Sequence, residues 1–292
     1  MNRQATIALH PSRSAAVRNI IIFTLLVNGL AWLGPVLGGD PTNPGLGVLL
    51  WGVAPIAAAL MMKFLLRDGT PLGFRPHLRG NGRWYLLSLL LYPFTILAVL
   101  GIGLITGAGT LNNFTLSALV MAAGPSVVIY FVFALFEEVG WRGYLAPRVA
   151  TIHDGLLGHA LVGLIWASWH FPYMTELWAH TSEGLITLLP RFVLGTMISA
   201  VVYGEIRLRT GSLWPAVFMH WVGNTVANTL LAGLGGTAFV TLTPGQEWFS
   251  SFGVEGVLMM LIFGLIGYLL YWRRKGADTV QVKSLPASAA RV

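Results

Sequence analysis

Residues 126–144 read SVVIYFVFALFEEVGWRGY. An apolar run from Ser126 to Phe136 leads directly into Glu137, Glu138 and Arg142, in a chain where only 10% of residues are charged. An acidic or basic side chain at the centre of a spanning helix costs roughly 2.5 to 3.5 kcal/mol on insertion scales, so an ionisable group kept there is by default a functional candidate. Helical spacing divides the labour. Glu138 and Arg142 are four apart and pair along one face, whereas Glu137 lies about 100° around the helix and is free to point elsewhere. One acid is then structural and the other available for chemistry.

The composition around this stretch is that of an integral membrane protein. At 292 residues and 55% hydrophobic, with a mean hydropathy of +0.71, the chain is too apolar for a soluble domain of its length. The sequence contains no cysteine, which excludes disulfides, iron–sulfur clusters and thiolate metal sites. The net charge of +7 does not point to nucleic acid as a partner. The basic residues stand singly between apolar runs and form no aromatic-interleaved patch.

Outward from residues 126–144, apolar runs of about 20 residues recur at 19–37, 46–66, 84–106, 125–150, 156–173, 184–203, 213–231 and 254–272. Gly124-Pro125 is a good helix start, so the fourth span is placed from there with both acids inside it. The expectation is an all-α polytopic protein with about eight transmembrane helices around a buried polar cavity. A single transmembrane domain over residues 19–273 would lie between cytoplasmic tails at 1–18 and 274–292. With both termini cytoplasmic, every Lys and Arg except Arg191 falls on or near the cytoplasmic side, and the outer loops collect Asp40, Glu176, Glu183 and Glu247.

Polar residues inside three spans fall at similar depth when counted at about 1.5 Å per residue. They are Glu137 in the fourth, His170 in the fifth, and His220 with Asn224, four apart on one face, in the seventh. Such a set suits acid–base hydrolysis. A carboxylate and an imidazole can hold and deprotonate a water, while a second imidazole and an amide nitrogen donate to the oxyanion of a tetrahedral intermediate. Glu137, His170 and His220 equally suit a divalent metal such as zinc with an open position for water. The residues alone do not separate these two schemes.

The same positions carry a family resemblance. Glu137-Glu138-Val139-Gly140-Trp141-Arg142 resembles the E-E-x-x-x-R motif of the CAAX-processing and bacteriocin-processing (CPBP, or Abi) intramembrane proteases. Trp166-Ala167-Ser168-Trp169-His170 is similar to the family's F-x-x-x-H motif, and His220-Trp221-Val222-Gly223-Asn224 to its H-x-x-x-N motif, led in by residues 209–215. The likeness covers about residues 125–230. It implies an endopeptidase that cuts a peptide bond of a membrane-associated substrate with a hydrophobic or lipidated tail. It also implies that Glu137 is the general base, that His170 helps bind water, that His220 and Asn224 form the oxyanion site, and that Glu138 with Arg142 holds the geometry. Trp166, where the family usually has Phe, is the one departure, and it bears on substrate choice.

Two rival readings stand beside this one. Buried Glu, His and Arg also build the proton relays of transporters, although no inverted repeat or matched pair of broken helices is evident. A non-catalytic membrane scaffold or immunity protein would keep the fold and bind a partner. Among the remaining polar residues, Asn228 extends the His220 face by a turn, and Glu205 with Arg207 and Arg209 reads as a charged cytoplasmic cap. His10, His77, His153, His159 and His180 receive no role, and Trp166 and Trp214 read as packing or interface aromatics.

Overall fold

The computed structural model describes residues 12–41, 43–177, 181–231 and 238–284. Its helices are α1 (Arg13–Leu37), α2 (Leu46–Phe64), α3 (Gly82–Thr106), α4 (Leu116–Glu138), α5 (Ala146–Ala150), α6 (Leu156–His170), α7 (Met174–Leu177), α8 (Leu185–Thr210), α9 (Trp214–Leu230), α10 (Glu247–Ser250) and α11 (Val257–Ser284). The protein is an all-α polytopic membrane protein. The described residues hold one small sheet, an antiparallel ribbon of β1 (Gly109–Leu111) on β2 (Val240–Leu242) that the hydropathy pattern does not announce.

Helices occupy all eight stretches expected from the sequence. Five are long and apolar enough to cross a membrane, or six when α4 with its continuation is taken as one bent span. The helices in the fifth and seventh stretches, α6 and α9, have 15 and 17 residues. At about 1.5 Å per residue these fall short of the roughly 30 Å hydrocarbon layer. Proline sets one limit of each: Pro172 ends α6 in a 3-10 turn, and Pro215 starts α9.

Several boundaries differ from expectation. Helix α4 begins at Leu116 rather than Pro125, because the Thr115 hydroxyl accepts from the Ala118 amide and caps it. A 58° bend instead separates Leu116–Gly124 from Ser126–Ala150. Helix α1 starts at Arg13, capped by Ser12, and α11 continues past residue 273 to Ser284. Residues 1–11 and 285–292 of the expected tails lie outside the described residues, as do His10 and His180.

Packing brings α4 against α9 and α2, α6 against α8, α3 against α9, and α1 against α2. Two polar networks tie the helix ends. Arg191, the charge that broke the inside–outside pattern, is matched by a two-bond pair with Glu183 at 2.8 and 2.7 Å. Glu205 is fully buried, so it is no exposed cap. It bonds His159 at 3.0 Å and Arg274 at 2.8 and 2.9 Å, while Arg207 turns away to the Arg142 carbonyl at 2.8 Å. His159, given no role from sequence, thus anchors α6 to α8.

The loop between α2 and α3 is fastened by Asp68. Asn19 and Tyr144 donate to one carboxylate oxygen at 2.7 Å each, Thr70 donates to the other through its amide at 2.9 Å and its hydroxyl at 2.7 Å, and Arg148 pairs with it. Burial raises the proton affinity of this carboxyl, but the bonds from Thr70, Tyr144 and Asn19 outweigh it and hold the group down to about 2. A carboxyl lowered in this way stabilises the fold fully above its ordinary value near 4 and loses that contribution as the pH falls toward 2. Asp68→Asn leaves Arg148 buried without a counter-charge and is expected to lower stability by about 3 kcal/mol at pH 7. Thermal denaturation in detergent at pH 7 and pH 3 checks this: the loss should be large at neutral pH and shrink in acid.

Candidate active site

The last turn of α4 passes into a π-helical segment, Val139–Leu145, before α5. Its i→i+5 bonding widens the turn, a device that recurs at functional sites. All seven residues of this segment are buried, and so are Glu137 and Glu138. Close packing on α2 requires glycine here. A Cβ on Gly140 would meet the Pro55 Cβ at 2.6 Å and the Pro55 carbonyl oxygen at 2.9 Å. The segment therefore seats itself directly on the α2 backbone, with the charged residues facing inward.

Arg142 has no solvent exposure. Its Nη1 donates to Glu138 Oε1 at 3.0 Å, the pairing that the four-residue spacing predicts. Nε and Nη2 have no hydrogen-bond acceptor. The guanidinium is instead held 4.2 Å from the ring centroids of both Trp166 and Tyr203. Two aromatic faces thus do what solvent would do for an exposed arginine.

Glu138 also reaches α9. His220 Nδ1 lies 2.8 Å from Glu138 Oε1, and since an ionised carboxylate only accepts, Nδ1 is assigned the hydrogen. The other ring nitrogen, Nε2, lies 3.7 Å from Glu137 Oε1. That distance is beyond a direct hydrogen bond and of the kind a water bridges. The second oxygen, Glu137 Oε2, accepts from two indoles, Trp166 at 2.8 Å and Trp141 at 3.2 Å.

His170 closes α6. Its Nδ1 lies 3.0 Å from the Trp166 carbonyl oxygen, one turn back, and carries the hydrogen for that contact. Its ring is set among Trp169, Phe192, Trp51 and Trp166, with centroids 4.6, 5.1, 6.2 and 6.3 Å away. Trp51 and Trp169 stack at 4.2 Å and exchange indole-to-carbonyl bonds of 2.9 and 3.0 Å, which pins α2 to α6 beside it. Asn224, half-buried, lies one turn beyond His220 on α9. Asn228 spends its amide on the Asn224 backbone carbonyl at 2.9 Å, a local helix contact.

The structure therefore brings Glu137, Glu138, Arg142 and His220 into one bonded cluster, with Trp166 linking it to His170. Glu137 Oε2 is taken by two indoles, His220 Nδ1 by Glu138 and His170 Nδ1 by a carbonyl. These bonds do not speak against a metal, because an Nδ1–H held by a carboxylate or a carbonyl is also the outer shell of a histidine that ligates through Nε2. Among the described residues, no three His, Cys, Asp or Glu are grouped to hold a metal ion. No step below is routed through one.

Sequence reasoning missed both indole donors. Trp141 was within reach of it, being four residues from Glu137, the same spacing that flags Glu138 and Arg142. Trp166 stood out only as the motif's departure from Phe, and its bond to Glu137 had no local signal because that carboxylate lies on another element.

Residues 122–226, which contain all three motifs, match a family model described as type II CAAX prenyl endopeptidase Rce1-like. That agrees with the CPBP resemblance and places the whole bonded cluster inside the Rce1-like stretch. Over 48 residues the chain is also 35% identical to CAAX prenyl protease 2 of Methanococcus maripaludis. The alignment spans 16% of this chain and 18% of that relative, so less than a fifth of the relative's length is covered.

The glycine contact in the Rce1-like segment gives a test of its packing. Gly140→Ala is expected to cost about 1 to 3 kcal/mol through overpacking against Pro55. Gly101→Ala in α3, where a Cβ would meet nothing within 4 Å, should be neutral. Thermal unfolding of the two purified variants makes the comparison.

Proposed function

We propose that this protein is an intramembrane endopeptidase, hydrolysing a peptide bond of a membrane-associated protein whose tail is CAAX-like, lipidated or simply hydrophobic. The observation that carries the reading is the asymmetry of Glu137, one oxygen tied to two indoles and the other facing His220 Nε2 across 3.7 Å, within a segment that matches a protease family. In this reading both termini are cytoplasmic and residues 19–273 form one transmembrane domain.

The chemistry follows from the bonding. Glu137 Oε1 takes a proton from a water placed by His170, and the water oxygen adds to the scissile carbonyl carbon. The carbonyl oxygen, now an oxyanion, accepts from Asn224 Nδ2 and from His220 Nε2. Because His220 Nδ1 is committed to Glu138, Nε2 donates only when the ring is an imidazolium. An imidazolium also balances the charge of the two glutamates and Arg142. Collapse of the intermediate breaks the C–N bond, and Glu137 returns its proton to the leaving amine.

A peptidase assay in proteoliposomes, with prenylated and hydrophobic-tailed peptides, tests the proposal. Glu137→Ala, Glu137→Gln, His170→Ala and His220→Ala are each expected to reduce cleavage by at least about 100-fold, the scale of general acid–base catalysis, with folded protein retained. Cleavage that survives Glu137→Gln excludes the general base. Proton-coupled flux without cleavage would favour a transporter instead.

A further inference from the structure

Trp166 touches more of the site than any side chain so far given a role. Its indole N–H donates to Glu137 Oε2 at 2.8 Å, and its ring face carries Arg142 at 4.2 Å. Its ring stands edge-on to His220 at 5.7 Å, and its backbone carbonyl meets His170 Nδ1 at 3.0 Å. It is itself fixed, 5% exposed and packed edge-on to Tyr203 at 5.7 Å.

A glutamate carboxylate is held only loosely by its own torsions, since the terminal torsion is broad and roughly two-fold. Something outside the residue has to decide which oxygen faces the reaction. Trp141 cannot do this alone. It lies on the same helical segment as Glu137, makes the longer bond of 3.2 Å, and carries no information about where α6 and His170 sit. Trp166 is on α6, four residues before His170. One ring therefore fixes the carboxylate relative to the imidazole that shares its water.

We propose that Trp166 is a positioning residue for the hydrolysis, its N–H fixing Glu137 so that Oε1 alone is presented to the water. The inference rests on the endopeptidase reading above. Packing alone would give the ring a structural part but would leave the N–H without effect.

The decisive variant is Trp166→Phe, which keeps an aromatic ring and removes the donor. A second replacement at the same position, 3-benzothienylalanine, keeps the full bicyclic shape and substitutes sulfur for N–H, and it serves if the phenylalanine variant fails to fold. Expected in either case are an unchanged KM and a fall in kcat of about tenfold, the scale of one hydrogen bond to a charged group. An indole N–H resonance that disappears in Trp166→Phe and shifts in Glu137→Gln reports the bond with no substrate present. A native kcat in the benzothienyl protein overturns the proposal while leaving the endopeptidase reading intact. A native resonance with no cleavage by the unaltered chain overturns the endopeptidase reading, and the positioning role with it, though the bond itself stands.

Discussion

A guanidinium sealed from solvent in an apolar bundle sets the terms on which this fold exists. Taking an ion out of water costs several kcal/mol even after relaxation, and Arg142 recovers it from one carboxylate and two aromatic faces supplied by three helical elements. Glu138 is shared between Arg142 and His220, so the same negative charge that offsets the arginine also draws α9 to the π segment. The Arg142 carbonyl in turn accepts from Arg207, which reaches on to the Pro71 carbonyl at 3.2 Å. Structural and reactive groups are thus links of one chain of contacts.

This sharing explains the unequal treatment of the two adjacent glutamates. Glu138 is committed on both sides of the cluster and has no solvent exposure. Glu137 takes its hydrogen bonds from indoles, which orient a carboxylate without neutralising it, and faces His220 Nε2 with its other oxygen at 3.7 Å. Both four-residue pairs, Glu137 with Trp141 and Glu138 with Arg142, close across the junction between α4 and the π segment.

Much of this was legible from residue order because the telling features are local. The apolar runs, the burial of charge after Phe136 and the Glu138–Arg142 spacing depend on neighbours within a turn or two. The contacts between His220 and Glu138, and between Trp166 and Glu137, join residues 82 and 29 positions apart, and no periodicity encodes them. Helix α4 illustrates a different limit. Gly124-Pro125 carries a good helix-start signal, yet the Thr115 cap begins α4 at Leu116. Glu205 reads as a charged cap from its basic neighbours in sequence, of which Arg209 does lie 3.9 Å away, whereas its hydrogen-bond partners, His159 and Arg274, come from α6 and α11.

The loop from α2 to α3 docks on the bundle through its main chain. Pro71 receives Arg207, Gly73 receives the Leu213 amide at 2.9 Å, and Phe74 receives the Trp214 indole at 2.7 Å, all at carbonyl oxygens. An attachment read from peptide groups is nearly blind to side-chain identity, so positions 71 and 74 are open to mutational drift. Gly73 is the exception, since its φ of +79° and the Arg207 guanidinium 2.7 Å from where a Cβ would stand both demand glycine. Apart from that position, Asp68, its partner Thr70 and the buried Leu72, the loop's outward chemistry is free to vary while its path over the bundle stays the same.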